Sequence, residues 1–139
     1  MKKWMWVFTA IIFCLSASSS WAKEPKEFAQ EFFGSIQAGN ISEAYDGLFA
    51  GSGIPAMKPQ AVDMLKRQTA SGLSMYGNVI SYEIIHEEAF CKSIVRLVYA
   101  LNQEVAPTIW QFFFYKPKDQ WFLGHVMFND QFQNIERMN

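Results

Sequence analysis

Apolar positions along this chain repeat with two different periods. Between Pro25 and Ala38 they fall at Phe28, Phe32 and Ile36, with Ala29 and Phe33 beside them. Spacings of three and four make the one-sided stripe of an amphipathic helix. Pro25 suits a first turn, Glu24 and Glu27 favour the positive end of the helix, and Gly39 is a natural stop. Asn40 then caps a second helix, with Glu43 three residues on in the capping-box position. That helix carries Ile41, Ala44, Tyr45 and Leu48 and ends before Gly51-Ser52-Gly53. A loop containing Pro55 runs to Lys58. Pro59 opens a third helix through about Ser71, presenting Val62, Leu65 and Thr69 on one face with Met64 beside it.

Beyond Gly77 the period shortens to that of strands. Asn78 to His86 forms the first strand, with Glu87-Glu88 as the turn after it. Cys91 to Leu101, Ile109 to Tyr115 and Gln120 to Phe128 form the other three. Sequential strands with short connections predict an antiparallel meander. The fold class is therefore α+β, with N-terminal helices packed against a four-stranded antiparallel sheet. The run Ile109 to Tyr115 departs from simple alternation, because it is large and apolar on both faces. A half-exposed strand alternates apolar and polar, so each face here needs a cover.

The helix Phe28-Ala29-Gln30-Glu31-Phe32-Phe33, the junction Gly39-Asn40-Ile41-Ser42-Glu43-Ala44-Tyr45 and the strand pair Trp110 to Tyr115 and Trp121 to Phe128 stand in a telling order. In that order they resemble the nuclear transport factor two-like superfamily. The resemblance covers nearly all of residues 23–139 and implies a cone: a helix hairpin packed into a curved sheet, with a cavity between them. The superfamily includes ketosteroid isomerases, dehydratases and polyketide cyclases beside many non-enzymatic binding modules. A shared fold does not select among these.

Alternation sorts the strand residues into two faces. Ile80, Tyr82, Ile84, Val95, Leu97, Tyr99, Trp110, Phe112, Phe114, Phe122, Val126 and Phe128 form an almost wholly apolar set, assigned to the concave side. Within it Tyr82, Tyr99, Trp110, Phe112, Phe114 and Phe128, with Tyr45 from the second helix, are the candidates for lining a cavity that would take a small apolar ligand. The other set mixes a few polar groups into apolar surface. Arg96, Phe113, Tyr115, Trp121 and His125 belong to it. Such a surface marks an interface, and the superfamily commonly dimerises through its convex face, so a homodimer is expected.

The N-terminus changes how charge and cysteine are counted. Lys2-Lys3, the apolar stretch Trp4 to Leu15 and the small-x-small site Ser20-Trp21-Ala22 make a bacterial-type signal peptide over residues 1–22. An exported protein, periplasmic or secreted, is the expectation, with no stable membrane span after cleavage. Without Lys2 and Lys3, 10 basic residues face 13 acidic ones, a net of −3. That balance, without an Arg-rich run, argues against nucleic acid as a partner. Cys91 would be the one remaining cysteine, which excludes an internal disulfide, and it is expected to be buried and inert.

Chemistry-bearing patterns are sparse. His86 and His125 belong to no metal-ligand spacing, and no nucleotide loop or nucleophile elbow occurs, so neither metal nor cofactor is expected. Glu83, Arg96 and His125 fall on adjacent strands and are expected to cluster as an interfacial ion pair. An isomerase-type site needs a base in the cone and a polarising donor such as tyrosine. Tyr82 or Tyr99 would be the donor, and Asp46 is the acidic group on offer. Neighbouring helix positions point about 100° apart, so Tyr45 facing inward turns Asp46 outward. No catalytic residue is assigned. The expectation is a binding or interaction module, with a cone-fold enzyme or a purely structural envelope partner as alternatives.

Overall fold

The computed structural model describes residues 22–138, so the signal-peptide expectation for the preceding residues lies outside them. The architecture is α+β. Four helices, α1 (Pro25–Gln37), α2 (Ile41–Leu48), α3 (Ile54–Met57) and α4 (Pro59–Tyr76), precede four strands. These are β1 (Val79–Cys91), β2 (Ile94–Gln103), β3 (Thr108–Tyr115) and β4 (Phe122–Asn129), and a 3-10 segment, Phe132–Met138, follows them. The strands form one antiparallel sheet in the order β1-β2-β3-β4. Among the described residues no helix is long and apolar enough to cross a membrane.

The first helix starts and stops as its residues dictate. Pro25 occupies its first turn, and the Glu24 N–H donates to the Glu27 carboxylate at 2.9 Å. Gly39 adopts φ +83°, which lets its N–H reach Ile36 O at 3.0 Å and the Asn40 N–H reach Ser35 O at 2.9 Å. This pair of bonds is a Schellman closure, and a side chain at Gly39 would strain it. Asn40 does stand at the start of α2, but its side chain makes no capping hydrogen bond, contrary to expectation. The loop around Pro55 contains the single turn α3, and α4 runs on past Ser71 to Tyr76. Gly72 and Ser74 are tolerated within it because neither breaks the backbone ladder. Gly77 ends it at φ +83°.

Three bulges explain where alternation misled. The register of β1 slips between Val79 and Ser81, between Ile84 and His86, and between Ala89 and Cys91. Each slip inserts a residue and exchanges the faces beyond it. Strand β1 therefore continues through Glu87 and Glu88, and the turn lies at Lys92-Ser93. Ile80 and Ile84, assigned to the concave core, are 62 % and 45 % exposed. Cys91, expected to be buried, is exposed at the tip of this hairpin. A fourth slip lies in β4: Phe113 pairs with His125, but Phe114 pairs with Leu123. Gly124 is the extra residue, so Leu123 and not Phe122 joins Val126 in the core. Trp121 precedes the strand, escapes its alternation, and packs into the core as well.

Candidate functional site

Helix α1 turns Phe28, Phe32, Phe33 and Ile36 onto the inner face of the sheet, and β3 answers with Trp110, Phe112 and Phe114. The rings interlock. Phe32 lies 5.1 Å from Tyr45, 5.3 Å from Trp110 and 5.6 Å from Phe112 between centroids. Phe33 stacks on Tyr82 at 4.9 Å and tilts against Tyr99 at 5.2 Å. Phe28 meets Phe114 at 5.5 Å. Tilted and edge-on pairs at such distances add to simple burial. Of the seven residues considered as cavity lining, Tyr45, Tyr99, Trp110, Phe112 and Phe114 are thus buried against one another and against α1. Tyr82 is half-buried at the margin, and Phe128 stacks on Trp110 at 4.3 Å with its other side toward α4.

Several polar atoms inside this packing are bonded to one another. Thr69 Oγ1 donates to the Leu65 carbonyl at 2.9 Å, so its contact with the Tyr45 hydroxyl at 2.8 Å is one in which Tyr45 donates. Burial pushes the Tyr45 hydroxyl up to about 12, opposed in part by that hydrogen bond. The Trp110 indole N–H donates to Thr108 Oγ1 at 3.0 Å, and Thr108 donates to Gln103 Oε1 at 3.2 Å. The Gln103 amide donates onward to the Gly77 carbonyl at 3.0 Å. That chain ties the end of α4 to the β2–β3 turn.

The other side of the inner face is open. Helix α4 packs on α2 and α3, and only Val62 and Thr69 are buried along its length. Lys66 holds it to α2, donating to Ser42 at 3.0 Å and to the Asp46 carboxylate at 2.9 Å. Asp46 thus faces outward, away from any cone interior. Beside α4 runs β4, an edge of the sheet among the described residues. Between them lies a groove with two hollows. The first, of about 340 Å³, is walled by Phe49, Ile54, Val62, Leu65 and Val126, with Lys58 and His125 at its rim. The second, of about 360 Å³, is walled by Met75, Thr108 and Phe128 and ends at Asp130, which accepts a hydrogen bond from Tyr76. That bond, with the nearby carboxylate charge, raises the Tyr76 hydroxyl above its ordinary value. Gln68 borders both hollows.

The groove is a second stripe on α4 that sequence reasoning did not isolate. Ala61, Met64, Gln68, Gly72 and Met75 recur at helical spacing and face it. Met64 and Met75 are 59 % and 64 % exposed. Met64 was the visible hint, an apolar residue beside the core-facing stripe. Gly72 and Met75 lay where the third helix was expected to have ended. Phe128 is the one cavity candidate that lines the groove.

The expected cluster of Glu83, Arg96 and His125 does not form. The bulge at Ile84/His86 moves Glu88 opposite Arg96, and these two pair at 2.8 Å. Glu83 sits opposite Ala100 and accepts from the Asn102 amide at 3.3 Å. His125 lies 6.0 Å from the Phe113 ring. The interface candidates Arg96, Phe113, Tyr115 and His125 do share the outer face, in rows fixed by register. Ile94, Tyr115 and Phe122 form one row, and Arg96, Phe113 and His125 the next. Trp121 is not among them. It is buried, Lys116 lies over its ring at 4.8 Å, and its indole N–H has no hydrogen-bond partner. Among the described residues no three His, Cys, Asp or Glu side chains come close enough to hold a metal ion. No protein-family model, no curated protein and no solved structure matches the chain.

Proposed function

We propose that this protein is an exported, non-enzymatic binding module of the nuclear transport factor two-like type, and that its ligand site is the groove between α4 and β4. The observation that carries the reading is a contrast of contents. The space under α1 and α2, where an isomerase would keep its base and donor, is taken up by rings, and Tyr45 holds its proton against Thr69. The groove beside it is open and mostly apolar, and it is of a size that suits a ligand. Its charged side chains, Lys58 and Asp130, border its two hollows, one each. An order of helices followed by an antiparallel meander supports the superfamily assignment.

The test is a titration with the apolar fluorescent probe N-phenyl-1-naphthylamine. Its emission rises as it enters the groove, and Leu65→Asp, which places a charge in the wall of the first hollow, removes most of that rise while leaving the circular dichroism unchanged. An equal rise in the variant overturns the assignment. We also propose that the outer face joins two subunits. Ile94, Tyr115 and Met127, 39 %, 48 % and 43 % exposed across three adjacent strands, support it. Sedimentation equilibrium then gives twice the chain mass, and Tyr115→Glu together with Met127→Glu returns it to one. A wild-type protein that sediments as a monomer at micromolar concentration removes this part of the reading.

A further inference from the structure

We infer that the groove takes an extended peptide, which adds to the free edge of β4 as a fifth strand and sets two apolar side chains into the two hollows. This rests on the reading of the groove as the ligand site and names the class of ligand. Three observations converge on it.

The first is the nature of the walls. One side of the groove is a helix face of methionine, leucine and glutamine, and the other is a sheet edge. Gly124, His125 and Val126 border the first hollow, and Phe128, Asn129 and Asp130 the second. An edge strand presents alternate N–H and C=O groups that seek partners. A small apolar molecule would leave them to water. An extended chain pairs with them and still offers side chains to the helix.

The second is spacing. From one hollow to the other, the midpoint of the lining moves about eight residues along α4 and about four along the β4 segment. Eight helical residues rise about 12 Å, and four strand residues rise about 13 Å. The two walls therefore keep pace, and the hollows repeat at a period a strand can match. Side chains at i and i+4 of an extended peptide lie on one face and about 13 Å apart. A single aliphatic chain or ring system would fill one hollow and neglect its neighbour.

The third is charge. Lys58 stands at the first hollow and Asp130 at the second. Strand β4 runs from the first to the second. A peptide antiparallel to it begins at Asp130 and ends at Lys58. Its sequence preference is then basic, apolar, three spacers, apolar, acidic. Methionines at the helical wall suit such a site, because their flexible thioethers adapt to anchors of different shape.

The experiment is fluorescence anisotropy with a fluorescein-labelled synthetic peptide whose centre reads lysine, phenylalanine, three threonines, leucine, glutamate. Saturable binding to the purified protein is expected. The same peptide with alternate amides N-methylated, or with its anchors moved one residue closer, is expected to bind about tenfold more weakly, the worth of one or two net hydrogen bonds. Gly72→Leu supplies a protein control: a Cβ there already lies 3.7 Å from the Phe128 ring, so a leucine projects into the second hollow. It favours the helix and is expected to weaken the peptide by a similar factor. No saturable binding, or binding indifferent to both N-methylation and anchor spacing, overturns the peptide inference. If N-phenyl-1-naphthylamine still enters the groove in that case, the ligand-site reading survives and only the peptide class falls; if the probe fails too, both fall. Binding that vanishes in Gly72→Leu but is untouched by N-methylation also overturns it, because the groove would then hold apolar groups without strand pairing.

Discussion

Helices α1 and α4 both flank the inner face of one sheet, but they meet it with different residues. Helix α1 presents three phenylalanines and an isoleucine on a single stripe and closes onto β3 ring against ring. Helix α4 is longer, yet its buried contribution is one valine and one threonine. Its second stripe, with Met64, Gln68, Gly72 and Met75, is too short or too polar to fill the gap to β4. The lesson is that the content of a helix stripe, more than its length, decides whether a concave sheet becomes core or cleft. Close packing is concentrated under α1, and open space is concentrated beside α4.

Truncations on the two sides should therefore differ sharply. Phe33, fully buried among Phe32, Tyr82, Tyr99, Trp110 and Phe112, leaves a cavity that rigid neighbours cannot close. Phe33→Ala is expected to cost about 4 kcal/mol, within the usual range for a buried ring. Leu65, half-buried beside the groove, already has space on one side, and Leu65→Ala is expected to cost about 1 kcal/mol. Urea unfolding of the two variants measures the gap. Equal losses would mean that α4 belongs to the core as fully as α1 does, and the contrast between closed and open sides would fail.

The same contrast explains what could be read from the sequence. Helices α1, α2 and α4, the four strands and the α+β class follow from period and punctuation, because Pro25, Gly39, Pro59 and Gly77 sit at real boundaries; the single turn α3 does not follow from them. The aromatic core was legible as well, since Phe32 lies on an unbroken helical stripe and Trp110 and Phe112 lie on a strand whose register with β2 has no bulge. What failed did so at bulges. An inserted residue carries no mark that single-residue patterns reveal, so β1 lost its register at Ile80 and Ile85, and its turn was placed at Glu87-Glu88. The site was hidden for a related reason. It is made of the gap between a helix stripe and a strand edge, and neither partner looks unusual by itself. The expectation that the cavity would sit among the aromatics placed it on the side that α1 fills.

Tyr45 offers a finer test of how well that side is sealed. Its hydroxyl, wholly buried, is pushed up to about 12 from an ordinary value of 10.0, with burial as the largest cause. The folded chain thus keeps a proton that the unfolded chain has already lost between these values. The sign follows: the Tyr45 contribution is fully present below pH 10 and is lost as pH rises through about 12. A displacement of that size corresponds to about 3 kcal/mol. Tyr45→Phe keeps the ring contacts with Phe32 and Phe49, and Thr69 keeps its bond to the Leu65 carbonyl. Near neutral pH that variant should lose only about 1 kcal/mol, the net worth of one hydrogen bond. Lysines and the other tyrosines titrate alike in both proteins, so the difference between their stability curves isolates this group. Wild type is expected to lose its advantage above pH 10 and then fall below the variant, which cannot ionise there. Parallel curves across that window would show that water reaches the Tyr45 hydroxyl. The side under α1 and α2 would then be open too, and the contrast between a closed side and the groove beside α4 would fail.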